Sequence, residues 1–379
     1  MEICYFSPRL IRMYFLLVFI FFLSIRIDGV AVPAIVETDI GSAYDDQLAL
    51  TYILSRRDIF DLKLIVCSTS NTTARAQIVA KILKIFQRFD ISIAIGRYIN
   101  DSNQVIYGYR WAEDYSLEKF HNDRGIVFLD GEQALFNEMK SASSHNVFHY
   151  IQISPPITLA SVLEKDPSLS MHIRLFTMAG SFYKGYDNSN TLSKEYNVEY
   201  SIHSAQIMFS SNWLYFGLVP LDCTNYMQFS GLIWQNFLAH RNASRIVDMI
   251  IESFTIWYED GGKNISSTLP YTLQSGTPEM HDILAVYLSG IYPSASPTVS
   301  DSLSLFVTND GYTRVNETIA KRINTCLRYQ TTDPYVSTNQ IGLDVLESIA
   351  QRNSGAQKRW NSFPYMYLVI HYLIYCYKK

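Results

Sequence analysis

Three aspartates, Asp39, Asp45 and Asp46, crowd one short segment near the start of the chain. The apolar residues 34–36 before them predict a buried strand, and the pattern of residues 47–54 after them predicts a helix. Three carboxylates in one loop repel each other unless a cation lies among them, and carboxylate oxygens are preferred ligands of Ca²⁺. The alternative is a helix start at which Asp45 and Asp46 interact favourably with the helix dipole.

Two further stretches carry polar groups that suit a binding site. His281 and Asp282 open an apolar helical pattern, which would place Asp282 near the positive end of a helix dipole. Glu195 and Asn197 occupy alternate positions of a polar segment, and carboxylate and carboxamide groups together can bind a polyhydroxylated ligand such as a sugar. Taken alone, each stretch is also compatible with a helix cap or an ordinary polar loop.

The elements that must position these groups alternate between strands and helices. The predicted strands and helices lie at residues 62–68, 74–89, 91–95, 147–153, 157–163, 173–178, 214–219 and 245–257. This alternation predicts an α/β fold with a Rossmann-like, open, mainly parallel sheet that helices cover on both faces. Such sheets bind ligands at the carboxyl ends of their strands, where the acidic loop would lie. Residues 101–131 break the alternation and are predicted to form a long loop.

The chain of 379 residues divides into three predicted parts. Residues 1–30 combine Arg9 and Arg12 with an apolar run, which predicts a secretory signal peptide, or a signal anchor if it is not cleaved. Residues 31–345 are predicted to form a single large domain, and residues 346–379 a C-terminal helical tail that is short for a membrane span. A net charge of −4 without a basic cluster argues against binding to nucleic acid.

Glycosylation sequons and cysteines indicate the compartment. Five N-x-S/T sequons occur, at Asn71, Asn100, Asn242, Asn264 and Asn316. With the signal they predict a secreted glycoprotein, which would contact a membrane only if the signal remains uncleaved. Four cysteines lie outside the signal and could form two disulfides, although Cys67 lies in an apolar run and is predicted to be a buried small hydrophobe.

In their order along the chain, these stretches resemble the calcium-dependent inosine/uridine-preferring nucleoside hydrolases. The segment ETDIGSAYDD at residues 37–46 is similar to that family's D-x-D-x-G-x-D-D signature in a form two residues longer. Glu37 replaces the first Asp, and Ala43 stands where the longer form often has another. Five further segments resemble family motifs: SPPITLA at 154–160, MAGS at 178–181, EYN at 195–197, VPLDCT at 219–224 and HDILAV at 281–286. The similarity covers about residues 33–328.

The resemblance implies a reaction and the residues that carry it. The reaction is hydrolysis of the N-glycosidic bond of ribonucleosides to ribose and free base, by a water that Ca²⁺ activates. The implied calcium ligands are the side chains of Asp39, Asp46 and Asp282 and the main-chain carbonyl of Ile157. Asp39 would also act as the catalytic base, and His281 as the general acid that protonates the departing base.

The resemblance also implies substrate-binding residues. Ribose is expected to contact Asp45, Glu195 and Asn197. A separate pocket asparagine of the family should fall at Asn188 when one inserted residue is allowed, with Asn190 as the alternative. Relatives commonly form dimers or tetramers, so the resemblance makes a homo-oligomer possible.

A further asparagine of the family, after the second strand, maps to Asn71, with Ser70 as the alternative. Asn71 is also a sequon, so a glycan there would conflict with a role in the pocket. Candidates for stacking on the base are aromatic side chains at Trp213, Trp257 and Tyr183.

Several positions depart from the family pattern. Ser154 and Ala179 replace glycines of family loops, and Ser201 stands near a family aspartate. Together with Ala43, these departures leave open a non-catalytic secreted relative that binds a nucleoside or a protein partner without turnover.

Overall fold

A nine-stranded sheet organises the described residues, which are 30–99, 105–265, 270–294 and 296–351 of the computed structural model. The strands in chain order are β1 (Val32–Thr38), β2 (Phe60–Cys67), β3 (Ser92–Ile95), β4 (Val127–Phe128), β5 (Phe148–Ile153), β6 (Ile173–Met178), β7 (Tyr215–Val219), β8 (Gln228–Ser230), β9 (Gly276–Glu279), β10 (Thr298–Leu303), β11 (Leu305–Val307), β12 (Thr313–Val315) and β13 (Ile323–Tyr329).

Helices connect most of these strands. They are α1 (Asp45–Ser55), α2 (Thr72–Phe86), α3 (Tyr109–Ala112), α4 (Leu117–Asn122), α5 (Gly131–Lys140), α6 (Ile157–Lys165), α7 (Tyr196–Glu199), α8 (Ile202–Ser210), α9 (Leu221–Thr224), α10 (Gly231–Leu238), α11 (Arg245–Glu259), α12 (His281–Ile291) and α13 (Pro334–Gln351). Short 3₁₀ turns lie at Pro167–His172, Tyr186–Asn188 and Gly262–Asn264.

The order of the strands explains where a site can form. The order across the sheet is β10-β13-β7-β6-β5-β1-β2-β3-β4, and every neighbouring pair is parallel except β10 with β13. The chain runs outward from β1 to β4 and returns to the other side of β1 as β5. The crevice at this reversal, beyond the paired ends Thr38 and Ile153, is the place where open parallel sheets bind ligands.

Alternate residues of the central strand enter two different cores. Ala34 and Val36 of β1 pack in the core on one face of the sheet, whereas Ile35 packs in the core on the other face. This alternation follows from the two-residue period of a strand, and it requires helices on both faces. The prediction of an α/β fold with a mainly parallel sheet in a single domain is therefore confirmed.

The structure changes two details of the predicted organisation. The excursion predicted as a loop at residues 101–131 contains α3, α4 and β4 within its described residues. The expected boundary at residue 345 falls inside α13, which packs against α1 and α10 of the main body. Residues 1–29 and 352–379, which hold the predicted signal and most of the predicted tail, lie outside the described residues. Among the helices that are described, none combines the length and apolar character needed to cross a bilayer.

The cysteines separate into two kinds. Cys223 and Cys326 form a disulfide that joins α9 to β13 across 103 residues of sequence. Cys67 is a free, fully buried thiol at the end of β2, as predicted for a small hydrophobe. Cys376 lies outside the described residues.

One buried histidine makes the stability of the fold depend on pH. His149 of β5 is bonded through Nδ1 to Ser289 Oγ at 3.0 Å and packs on the rings of Phe176 and Tyr292. Burial, with a smaller contribution from the charge of Arg174, lowers the pKa of His149 to about 4 from its ordinary value of 6.5. The unfolded chain therefore binds a proton near pH 6.5 that the folded chain does not bind until about pH 4.

We expect this difference to destabilise the fold in acid. The contribution of His149 is fully present above pH 6.5 and is lost as the pH falls from 6.5 to 4, by about 3 kcal/mol in total. Urea unfolding at several pH values should show a smaller acid loss for His149→Gln than for the wild type. The same change at the exposed His172 should leave the pH profile unaltered, and equal profiles for the wild type and His149→Gln would contradict the prediction.

Candidate active site

The acidic loop lies between β1 and α1, at the crevice of the sheet. Asp39 follows β1, while Asp45 and Asp46 form the first turn of α1. All three side chains are at most 6% exposed. Within the loop, Gly41 has a φ of +104°, and a Cβ atom there would lie only 2.6 Å from the side chain of Ile106. Glycine is therefore required for the loop to turn and pack so closely.

A fourth buried carboxylate, Asp282, enters from the first turn of α12. Oxygen atoms of Asp45, Asp46 and Asp282 all lie within 4.8 Å of one another. Burial and then repulsion from Asp45 and Asp46 hold the pKa of Asp282 well above its usual range. Burial and the neighbouring Asp39 raise the pKa of Asp45 to about 6.

Three of these acids, Asp45, Asp46 and Asp282, fit a hard divalent cation. Asp45 Oδ1 is buried and has no hydrogen-bond partner among the described residues. Ca²⁺ prefers several carboxylate oxygens as ligands, and a carboxylate oxygen without a hydrogen-bond partner can act as one of them. The closest set contains Asp45, which was predicted to bind ribose, whereas Asp39 lies outside that set.

Asp39 differs from the other acids because it faces a buried cation, Arg75 of α2. Burial raises the pKa of Asp39 to about 6, and the charge of Arg75 opposes that rise. The Arg75 guanidinium donates to the main-chain carbonyls of Asp39 and Ile40 and, at 3.0 Å, to Ser42 Oγ. Arg75 therefore holds the loop through its backbone. Sequence reasoning missed this residue because an arginine in a helical pattern is usually exposed.

The other side of the loop packs on α11. Trp257 Nε1 donates to the Ser42 carbonyl at 2.9 Å, and the Tyr44 hydroxyl donates to the Ile250 carbonyl at 2.8 Å. Trp257 is 1% exposed and lies behind the loop. It supports the loop instead of stacking on a substrate, contrary to the candidate role given to it from sequence.

A cavity of about 520 Å³ opens over the acids. The residues that line it are Asp39, Ser42, Ala43, Asp45, Asp46, Val105, Tyr107, Ile153, Met178, Tyr186, Asp187, Glu195, Tyr196, Asn197, Asn225, Ile265, Glu279, His281 and Asp282. The aspartates of the cluster are buried, whereas Val105 is 52% and Tyr196 39% exposed. The acids thus lie deep, and the opening is lined by the exposed residues Val105, Asp187 and Tyr196. Neither Trp213 nor Tyr183 is among these described lining residues.

Glu195 and Asn197 are brought to the cavity by the turn that starts α7. The Glu195 carboxylate accepts from the main-chain N–H groups of Gly180 and Asn197, both at 2.9 Å. Burial raises the pKa of Glu195 to about 7, although these N–H groups favour its charged form. Asn197 donates from Nδ2 to the Met178 carbonyl at 3.0 Å, which leaves the amide oxygen as the atom that can accept from a ligand.

His281 lines the same cavity at the start of α12. Its Nδ1 lies 2.8 Å from Thr224 Oγ1, and its ring meets that of Tyr186 edge-on with centroids 6.2 Å apart. Burial lowers the pKa of His281 to about 4, so the ring is neutral near pH 7. A neutral imidazole that accepts from Thr224 carries its proton on Nε2 and can donate it to a ligand.

One predicted metal ligand, Ile157, is not brought to the cavity. It is the buried first residue of α6 and is not among the described residues that line the cavity. Ile153, the last residue of β5, lines the cavity instead. The strand predicted at residues 147–153 ends at the same residue as β5.

Two predicted substrate-binding asparagines also lie outside the described lining. Asn188 accepts from the Tyr226 hydroxyl at 3.2 Å, and its alternative Asn190 accepts from Lys184 Nζ at 2.6 Å. Asn71 is exposed and caps α2 by accepting from the Ala74 N–H at 3.2 Å. Its geometry removes the conflict between a glycan and a role in the pocket.

Glu37, the first acid of the motif, does not line the cavity either. It is fully buried and accepts from the Tyr150 hydroxyl at 2.6 Å and from the N–H groups of Thr158 and Leu159 at 3.1 and 3.2 Å. Glu37 therefore joins β1 to the start of α6 and helps to hold the crevice in shape.

Comparison with known proteins places this geometry among the nucleoside hydrolases. The model of the family described as inosine-uridine preferring nucleoside hydrolase matches residues 34–345. No curated protein sequence gives a significant match. The fold is similar to that of an inosine-guanosine nucleoside hydrolase, with 15% identity, a TM-score of 0.65, and coverage of 85% of this chain and 99% of the other.

Two bacterial structures are also similar. A purine-preferring ribonucleoside hydrolase from Gardnerella vaginalis shares 15% identity, with a TM-score of 0.61 and coverage of 83% of this chain and 99% of the other. An inosine-uridine preferring nucleoside hydrolase from Bacillus anthracis shares 14% identity, with a TM-score of 0.58 and the same coverage of 83% and 99%. At these identities the structural likeness shows the fold alone.

Proposed function

Because this chain belongs to the inosine-uridine preferring nucleoside hydrolase family, which hydrolyses the N-glycosidic bond of nucleosides, we propose that its buried carboxylates hold Ca²⁺ and position a ribonucleoside. The observation that carries the proposal is the set of Asp45, Asp46 and Asp282 oxygens within 4.8 Å of one another at the cavity. Ile153 would offer the main-chain carbonyl of the site in place of Ile157. Ala43, where many relatives have an acid, adds none to the cluster.

The side chains around the acids have separate roles in this proposal. When bound, Ca²⁺ would supply a Lewis acid that lowers the pKa of an attacking water and binds ribose hydroxyls. Asp39 accepts the proton of that water, and burial suits it to this because a raised pKa makes it a better base near neutral pH. The Asn197 amide oxygen accepts from a ribose hydroxyl, and Asp45 accepts from another with the oxygen that does not bind the cation.

Glu195 and His281 act as the bond to the base breaks. The ribose gains oxocarbenium character in the transition state, and the negative charge of Glu195 and the aspartates favours that positive charge. His281 donates a hydrogen bond from Nε2 to the departing base, which stabilises the negative charge that develops there, while Thr224 holds its Nδ1. The burial of the acids strengthens these electrostatic interactions, because the interior screens charge less than water does.

The test is a panel of ribonucleosides incubated with the purified protein, with ribose release as the measurement. At least one nucleoside should be hydrolysed, and its 5′-monophosphate should react at least about tenfold more slowly. The monophosphate is disfavoured because the described lining contains acids but neither lysine nor arginine. A protein that releases ribose from no member of the panel would contradict the proposal.

We also propose that the protein is a secreted or lumenal eukaryotic glycoprotein. The signal predicted at residues 1–30 supports this, and disulfides such as Cys223–Cys326 form in oxidising compartments. The sequon asparagines Asn71, Asn242 and Asn264 are exposed. Protein recovered from the medium of expressing cells should migrate faster on a gel after enzymatic removal of N-glycans, and unchanged mobility would count against glycosylation.

A further inference from the structure

The cavity contains a hydrogen-bond acceptor that the roles above do not use. Asn225 lines the cavity and is 3% exposed, and its Nδ2 donates to the Gly185 carbonyl at 2.9 Å. Because that carbonyl can only accept, the amide nitrogen must face it and Oδ1 must face away. Asn225 Oδ1 is buried and has no partner among the described residues. A ligand that donates a hydrogen bond would remove the penalty of leaving it unpaired.

Glu279 adds a second acceptor beside His281. Glu279 ends β9 and His281 begins α12, and both line the cavity. Met280 between them is fully buried and does not line it. Because both side chains line the one cavity while Met280 is turned into the core, Glu279 and His281 lie on the same side of this segment. The segment therefore presents an acceptor, Glu279, next to a donor, Nε2 of His281.

We propose that Glu279, Asn225 and His281 select a purine that carries an amino group at C6, so that adenosine is the preferred substrate. The inference rests on the proposed function, which places the ribose at the buried acids. Adenine presents the acceptor N7 beside the donor N6–H₂, whereas hypoxanthine and guanine present two acceptors, N7 and O6. His281 donates to N7, and Glu279 and Asn225 Oδ1 accept from the amine.

A 6-oxopurine meets the same site with the wrong polarity. Its O6 atom would face the Glu279 carboxylate and Asn225 Oδ1, and none of these atoms can donate. Asn225 Oδ1 would then remain buried without a partner, and the Glu279 carboxylate would face another acceptor, which a site built for hydrogen bonding penalises strongly.

The test compares three purine nucleosides that differ at C6. In steady-state assays of the wild type with Ca²⁺, kcat/KM for adenosine should exceed that for purine riboside, which has hydrogen at C6, by about tenfold. It should exceed kcat/KM for inosine by about a hundredfold or more. Inosine turnover equal to or faster than adenosine turnover overturns the inference.

A substitution then tests the residue. In Glu279→Gln the amide can donate to O6, so the ratio of kcat/KM for adenosine to that for inosine should fall at least about tenfold. The ratio is unaffected by a smaller folded fraction. The matched change at the exposed Glu252 of α11 should leave the ratio unaltered. A folded Glu279→Gln protein with the wild-type ratio overturns the role of Glu279, and if that variant does not fold, the wild-type ratios decide.

One further substrate distinguishes a failure of the inference on base selection from a failure of the proposed function. p-Nitrophenyl riboside carries the ribose but lacks a purine edge, so its hydrolysis depends on the acids and not on base selection. If the wild type hydrolyses it and yet prefers inosine to adenosine, only the present inference fails. If neither it nor any nucleoside is hydrolysed, the proposed function fails.

Discussion

Replacing Asp39 with asparagine is expected to lower kcat for ribonucleoside hydrolysis by about 10²- to 10⁴-fold, the usual contribution of a general base. The amide is close in shape to the carboxylate but cannot take a proton from the attacking water. The loop should survive the change, because the Arg75 guanidinium donates its hydrogen bond to the main-chain carbonyl of Asp39, which the substitution keeps. The expected result is therefore a loss of kcat in a folded protein, measured by steady-state ribose release and circular dichroism.

A surface aspartate provides the control for Asp39. Asp260 accepts an exposed hydrogen bond from Arg110 Nε at 2.8 Å. It is not among the described residues that line the cavity. Asp260→Asn should retain the wild-type kcat. If Asp39→Asn kept more than about a tenth of the wild-type kcat, another group would have to be the base, since losses from general-base removal are larger.

Local sequence patterns were sufficient to predict the fold. They were also sufficient to predict which acids lie at the ends of strands and at the starts of helices. Asp39, Asp46 and Asp282 each lie directly after a strand or in the first turn of a helix, and parallel strands bring such positions to one edge. The apolar runs around them have the period of a strand or of a helix, so their placement followed from periodicity. The deep acidic part of the cavity was thereby predictable.

The parts that could not be predicted depend on contacts between distant segments. Arg75 and Ser42 are neighbours only because α2 packs against the β1–α1 loop. Asn225 acquires its orientation from the Gly185 carbonyl, on another loop. No local pattern encodes these tertiary relationships.

The residues proposed to contact the nucleobase could not be predicted from local sequence patterns either. Trp257 has an aromatic ring that could stack on a base, but its indole N–H donates to the Ser42 carbonyl behind the loop. Tyr107, Tyr186 and Tyr196 line the cavity instead, and in the sequence they do not differ from the other tyrosines of a chain that has 27. Base preference therefore had to be inferred from hydrogen-bonding groups in the structure.

Calcium should stabilise the fold strongly, because it relieves repulsion among buried carboxylates. Asp46 and Asp282 have pKa values held well above their usual range by burial and by neighbouring acids. A ligand that binds only the folded state at one hundred times its Kd adds about 2.7 kcal/mol to the free energy of unfolding. Scanning calorimetry should show a rise in Tm with Ca²⁺ and its loss with a chelator, which should also abolish ribose release. Mg²⁺ should act more weakly, because it favours octahedral coordination and retains water.

The Asp282→Asn variant should show whether Ca²⁺ raises Tm by binding the buried carboxylates or only through a general effect of salt. With one ligand charge removed, Ca²⁺ should raise Tm by less than half of the wild-type amount. In chelator the order should reverse: the variant should be more stable than the wild type, because one of the mutually repelling buried carboxylates is gone and an amide is cheaper to bury than a charge. A merely structural role for Asp282 would instead make the variant less stable in both conditions. Only a cation site at the cluster predicts that the sign of the difference depends on Ca²⁺.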